Sequence, residues 1–201
     1  MKTKTLIVLL MVATIVAATE RARFVPASNS TVRITGTSTL HEWAMEGTTI
    51  NGGIEIAPEI ASDPTDANSW KSNEPLQVSV TIPVSTLKSD HDRMTNIMRD
   101  AMKAAKYPDI RYQLIEADPP EGRSDHFTIK TKGKLTISGV TRDIEMNVVA
   151  TRDAGDRFTL AGEAPIRMTD FGITPPITML GALKTGDQVK VAFRWIVDRV
   201  Q

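Results

Sequence analysis

Cysteine is missing from all 201 residues, which excludes disulfides, thiolate-held metals, iron–sulfur clusters, a cysteine nucleophile and a lipid-bearing amino-terminal cysteine. An excess of charge of either sign is missing too. The 24 Lys and Arg balance 24 Asp and Glu, and the isoelectric point is near 6.8. Proteins that grip nucleic acid need clustered cations to neutralise phosphates, so nucleic-acid binding is not expected. Histidines number three, and aromatic residues make up 5%. The serine held between glycines at a hydrolase elbow is absent, and Gly52-Gly53 lacks the pattern of a phosphate-cradling loop.

Long apolar runs are absent except at the start. Lys2 and Lys4 precede residues 6–18, where only Thr14 is polar, and Val16-Ala17-Ala18 offers small residues to a peptidase. That run falls well short of the roughly 20 residues that cross a bilayer as a helix. The pattern predicts a cleavable signal peptide over residues 1–18, a single soluble domain over 19–201 outside the cytoplasm, and no stable membrane span.

Period-two alternation fills the remainder. In the last strand Val189, Val191, Phe193, Trp195 and Val197 share one face, while Gln188, Lys190, Arg194 and Asp198 take the other. The same pattern recurs in Leu76, Val78, Val80 and Ile82, in Phe127, Ile129, Leu135 and Ile137, in Ile144, Met146, Val148 and Ala150, and in Phe158, Leu160, Ala164, Ile166 and Met168. Ser138-Gly139 and Ala154-Gly155-Asp156 are hairpin signals, which makes the carboxy-terminal half an antiparallel meander of a chain with about nine strands. One amphipathic helix interrupts it. Met94, Ile97, Met98, Met102 and Ala105 recur at helical spacing between Ser89 or Asp90, either able to cap, and the breaker Pro108. Residues 58–75 read as a long surface loop anchored by Trp70, and residues 170–186 as a second connection.

Alternation alone does not separate a two-sheet sandwich from a closed barrel, but the length of the strands over 125–137 and 143–151 favours closure. The inward registers include Gly36, Gly52, Gly133, Ala150, Gly162 and Ala164. Small residues there either line a wall without filling the middle or permit bends and bulges around a solid core, and the pattern leaves both open.

Five blocks carry a resemblance: Gly36-Thr37-Ser38-Thr39-Leu40-His41-Glu42-Trp43, the apolar strand 76–82 running into Pro83-Val84-Ser85-Thr86-Leu87-Lys88, Lys106-Tyr107-Pro108-Asp109-Ile110, Gly133-Lys134-Leu135-Thr136-Ile137-Ser138-Gly139-Val140-Thr141, and Thr169-Asp170-Phe171-Gly172-Ile173. Their order and spacing resemble the YceI-like proteins from about Phe24 to the end. The resemblance implies an all-β fold with one short helix, an extended lipocalin-like antiparallel β-barrel of about eight strands, exported to the periplasm. It also implies a long polyisoprenoid as ligand. The chain departs from the usual family pattern in its opening strand and in Ser89-Asp90-His91-Asp92-Arg93, where the customary helix motif is not kept.

The function expected from these readings is a periplasmic binding protein that holds a long-chain apolar lipid or isoprenoid quinone without acting on it, with no cofactor and no metal. A homodimer is left open. The expected ligand wall comprises Val80, Ile82, Phe127, Ile129, Leu135, Met146, Val148, Phe158, Leu160, Phe193 and Trp195, with Met98 and Phe171 near an opening. Met94, Met98 and Met102 make a flexible stripe able to pack as core or against an apolar ligand. The first alternative is a filled barrel acting through its surface in the envelope. The second is a hydrolase or metal enzyme, which needs His41, Glu42, His91 and Asp92 to converge. Asp90 and Asp92 are otherwise explained by the start of a helix, and His126 lies on a solvated register beside Lys130 and Lys132.

Overall fold

The computed structural model describes residues 21–71 and 76–200. The expected signal peptide and its cleavage point lie outside the described residues. Alternating apolar and polar side chains build twelve strand segments: β1 (Ala22–Pro26), β2 (Thr31–Ser38), β3 (Glu42–Gly47), β4 (Asn51–Ile56), β5 (Leu76–Pro83), β6 (Asp109–Ala117), β7 (Glu121–Arg123), β8 (His126–Ile137), β9 (Val140–Arg152), β10 (Arg157–Arg167), β11 (Ile177–Thr178) and β12 (Leu183–Arg199). Strands β1, β4, β5, β6, β8, β9, β10 and β12 pair antiparallel in that order, and β12 returns to β1. These eight strands therefore close into a barrel in which every stave has neighbours on both sides, while β3, β7 and β11 have a strand partner on one side only.

The 17 residues of β12 are long enough to hold two partners on one side. Val197 lies opposite Pro26 of β1, while Val191 lies opposite Ile34 of β2. Between those partners the chain turns through Asn29, at φ 68°. Buried Ser30 fills the gap in the ladder: Ile196 N donates to its Oγ at 3.0 Å, and its hydroxyl donates to Ala27 O at 3.1 Å. The β2–β3 hairpin thereby prolongs the wall beyond β1. Ser138 and Gly139, at φ 51° and 79°, form the expected tight turn from β8 to β9, and two left-handed residues in succession favour glycine at the second.

Among the described residues two α-helices are present rather than one. Within the segment expected as a loop, α1 (Pro58–Ser62) buries Ile60 and Ala61, and Trp70 is buried with its indole N–H donating to Pro64 O at 2.9 Å. A single turn and a half begun by proline is too short to display a 3.6-residue period, so the pattern did not reveal it. The second helix, α2 (Asp92–Ala101), has its N-cap at His91, beyond both expected caps Ser89 and Asp90, and no side chain caps it. Ser89 instead turns its hydroxyl onto the His91 backbone, donating to O at 2.8 Å and accepting from N at 3.1 Å, while Thr95 Oγ1 accepts Ser89 N at 3.0 Å. The connection expected over 170–186 is also more ordered, because β11 lies inside it and β12 begins at Leu183.

Candidate functional site

The pairing register stacks inward side chains in rows. Phe127, Ala150, Leu160 and Trp195 form one row across β8, β9, β10 and β12, and Ile129, Val148, Gly162 and Phe193 form the next. Toward the other end Ala164, Val191, Ile34 and Met45 make a third, and Ile166, Val189, Gly36 and Trp43 a fourth. These rows enclose a cavity of about 670 Å³ with an almost wholly apolar lining. That exceeds the roughly 300 Å³ at which pockets begin to take drug-sized molecules, so the filled barrel is not what the chain builds. Ile144, Met146, Val148, Leu160 and Phe193 face inward and yet stay only half-buried, because the space in front of them is empty.

Three inward glycines explain how the wall stays thin. A side chain on Gly36 would start 2.4 Å from the Trp43 ring, one on Gly133 2.4 Å from Tyr112, and one on Gly162 2.9 Å from Phe193. In each case an aromatic ring from the adjoining strand lies over the glycine instead of projecting across the lumen. Gly52 is different: it holds φ 126°, which side-chain-bearing residues rarely adopt, and a side chain there would start 1.9 Å from the Ser79 carbonyl oxygen of the adjoining strand. Gly36, Gly133 and Gly162 therefore line a wall around open space, and at Gly52 the backbone conformation itself calls for glycine.

The two ends of the barrel differ. At one end Phe158 meets Phe24 and Phe127 edge-on, with ring centroids 5.6 and 6.5 Å apart. Arg152 lies 5.2 Å from the Phe158 ring and donates to Ala61 O at 3.0 Å, fastening α1 across that end, where Ile60, Pro64 and Trp70 line the cavity fully buried. At the other end α2 presents Met94, Ile97, Met98, Ala101 and Met102 to the cavity. Among the described residues only three lining residues are exposed, His41, His91 and Arg93, and all three stand at this end with Ser38, Trp43, Pro176 and Leu183. The mouth opens there, between the β2–β3 turn, the start of α2 and the β11–β12 hairpin.

All the residues expected to form the wall, Val80, Ile82, Phe127, Ile129, Leu135, Met146, Val148, Phe158, Leu160, Phe193 and Trp195, lie on the cavity lining, and so do Met98 and Phe171. Their depth differs. Trp195 is 3% exposed and Phe171 2%, so Phe171 sits inside the mouth end and not at its rim. Sequence reasoning missed Trp43, Tyr112 and the β2–β3 contribution of Ile34 and Met45. Their alternation was visible, but membership of the wall depends on β12 gripping β1 and β2 in tandem. Tyr112 is the one phenol on the lining among the described residues. Its hydroxyl has no partner of normal geometry, and burial pushes its pKa above the ordinary value, so it stays protonated. The neighbouring Thr131 hydroxyl is satisfied by Met146 O at 3.0 Å.

His41 and His91 reach the mouth, whereas Glu42 and Asp92 do not line it. Among the described residues no three His, Asp or Glu side chains gather as a metal site would require. His126 is exposed and bonded through Nδ1 to Thr151 Oγ1 at 3.1 Å. No helix among the described residues is long and apolar enough to cross a membrane.

Comparison with known proteins bears on this arrangement. The model of the YceI-like domain matches residues 23–196. The crystal structure of BcnA from Burkholderia cenocepacia is similar at 18% identity and a TM-score of 0.65, covering 83% of this chain and 95% of that one. A polyisoprenoid binding domain from Saccharophagus degradans implicated in plant cell wall breakdown is similar at 15% identity and a TM-score of 0.65, covering 89% and 99%. The Campylobacter jejuni YceI protein follows at 17% identity and a TM-score of 0.56, covering 78% and 84%. A comparison with curated proteins finds no match.

Proposed function

The chain belongs to the YceI-like family, and from that premise we propose that it is a periplasmic binding protein that encloses one long apolar lipid of isoprenoid type, such as an isoprenoid quinone, and releases it unchanged. The cavity carries this reading: about 670 Å³ of apolar space, closed by α1 at one end and open beside α2 at the other. A threaded hydrocarbon chain gains from transfer out of water in proportion to its area, and the methionines of α2 supply a wall that adapts to a flexible guest. Among the described residues the polar lining consists of the Tyr112 phenol, the hydroxyls of Ser38, Thr131 and Thr185, and His41, His91 and Arg93 at the rim, with no carboxylate, which supports retention over transformation. The solved polyisoprenoid binding domain of the same fold lends the ligand class.

Export is part of the proposal, resting on Lys2, Lys4 and the short apolar run of residues 6–18. Protein purified gently from its native host and extracted with organic solvent is expected to release a stoichiometric isoprenoid lipid detectable by mass spectrometry. A chain that emerges empty and takes up no isoprenoid quinone would sink the reading. Protein from the periplasmic fraction should begin near Thr19, and intact Met1 in washed membranes would count against export.

A further inference from the structure

Large apolar side chains on the outside of the barrel gather at one place. The three most exposed among the described residues are Leu180, fully in solvent, Leu40 at 71% and Ile177 at 61%. Leu40 sits in the β2–β3 turn, where Ser38 N donates to His41 O at 2.9 Å. Ile177 and Leu180 belong to the β11–β12 hairpin, in which Ile177 pairs with Lys184. The two tips are tied together: Thr39 N and Oγ1 donate to Lys184 O at 3.0 and 3.2 Å, and Lys184 N donates to Thr39 Oγ1 at 2.8 Å. Beside them Ser38, His41, Pro176 and Leu183 line the cavity, so the apolar tips and the mouth form one continuous rim.

Leu180 also holds φ 54° and ψ 34°, a left-handed conformation that strains a side-chain-bearing residue. A leucine that is both strained and unburied contributes nothing to folding, and such outliers gather where a surface has a task.

We propose, building on the lipid-binding role above, that this rim docks on the surface of a phospholipid bilayer. Leu40, Ile177 and Leu180 enter the boundary between headgroups and acyl chains, the mouth faces the lipid phase, and the ligand passes between bilayer and barrel without crossing water. The small extent of the rim selects a bilayer over a protein partner. Three exposed apolar side chains on two turns fall short of a stable protein interface, which needs roughly 800 Å² of complementary surface on each side. A fluid lipid surface demands no such complementarity. The segments beside the mouth balance Arg93 and Lys184 against Glu42, Asp90 and Asp92, so apolar insertion and not attraction to anionic headgroups drives the contact.

Flotation of the purified protein with phosphatidylcholine vesicles on a density gradient tests this. The unaltered protein should float with the vesicles, at low and at high salt alike. The double variant Leu40→Asp/Leu180→Asp should lose vesicle association by at least about tenfold, because two apolar insertions are removed, while its melting temperature stays unchanged. Ile115→Asp, at an exposed apolar position on β6 away from the rim, should float normally. The double variant should also extract an isoprenoid quinone from the vesicles more slowly and yet load it normally from detergent solution. Failure of the unaltered protein to float, full flotation of the double variant, or an equal loss with Ile115→Asp would overturn the proposal. A protein that floats through its rim but never holds lipid would refute the binding role and leave docking intact; a lipid-filled protein that ignores vesicles would do the reverse.

Discussion

Trp195 and Phe193 stand two residues apart on the same face of β12, but they do different work. Trp195 is 3% exposed in the row with Phe127, Ala150 and Leu160, and its indole N–H has no partner. Phe193 is half-buried, with open cavity before it. Trp195→Ala should lower unfolding free energy by about 3–5 kcal/mol, since the void left behind adds to the lost transfer energy. Phe193→Ala should cost clearly less and weaken lipid retention more, and denaturant midpoints measured alongside a lipid-release assay separate the two effects. Gly162 answers to the same ring. A valine there would begin 2.9 Å from Phe193 and push it into the lumen, so Gly162→Val should cost about 1–3 kcal/mol and reduce the amount of lipid held.

Among the elements, α2 depends on one buried hydroxyl for its position. Thr95 is 5% exposed and its Oγ1 accepts Ser89 N at 3.0 Å, and one turn further along the same face Arg99 donates to Ser85 O at 2.7 Å. Thr95→Val keeps shape and removes the acceptor, leaving the half-buried Ser89 N–H without its partner at a cost of about 1 kcal/mol. Hydrogen exchange should speed up over residues 89–98 with little change in β8 and β9. Two carboxylates tie strands at the ends of the barrel. Asp198 accepts from both Arg157 Nε and Nη2, at 2.6 and 2.9 Å, which holds its pKa below the ordinary 3.8. Asp187 accepts from Thr169 N and Oγ1, at 2.9 and 2.8 Å, with the same effect. A carboxylate whose pKa is depressed by folding stabilises the fold above its unfolded pKa and loses that contribution as pH falls through its folded pKa. The melting temperature should therefore hold from neutrality to about pH 5 and decline once pH drops below the ordinary aspartate value, less steeply in Asp187→Asn.

For the whole molecule, closure without filling means that stability is shared with the guest. A ligand that binds only the folded barrel adds RT ln(1 + [L]/Kd), about 2.7 kcal/mol at a hundredfold excess over Kd. Lipid-loaded protein should accordingly unfold at higher denaturant than stripped protein. Equal midpoints would mean that the cavity is not where the lipid resides.

The sequence by itself determined the long strands of the carboxy-terminal half and their faces, though not the short β1, β7 and β11. Period-two burial is a local property, and every residue assigned inward on β8 and β12 from alternation alone faces the cavity. It also determined the two hairpin turns, because Ser138-Gly139 and Gly155-Asp156 need left-handed backbone at once. Whether those faces enclose anything was beyond it. That depends on β12 holding β1 and β2 in tandem, on Trp43, Tyr112 and Phe193 lying over Gly36, Gly133 and Gly162, and on α1 sealing one end under Arg152. All of these join residues far apart in the chain. A glycine reads the same in a sequence whether it bends a strand, as Gly52 does, or receives a neighbour's ring, as Gly162 does. Only the register of the adjoining strand decides between them, and register is fixed by the closing of the barrel.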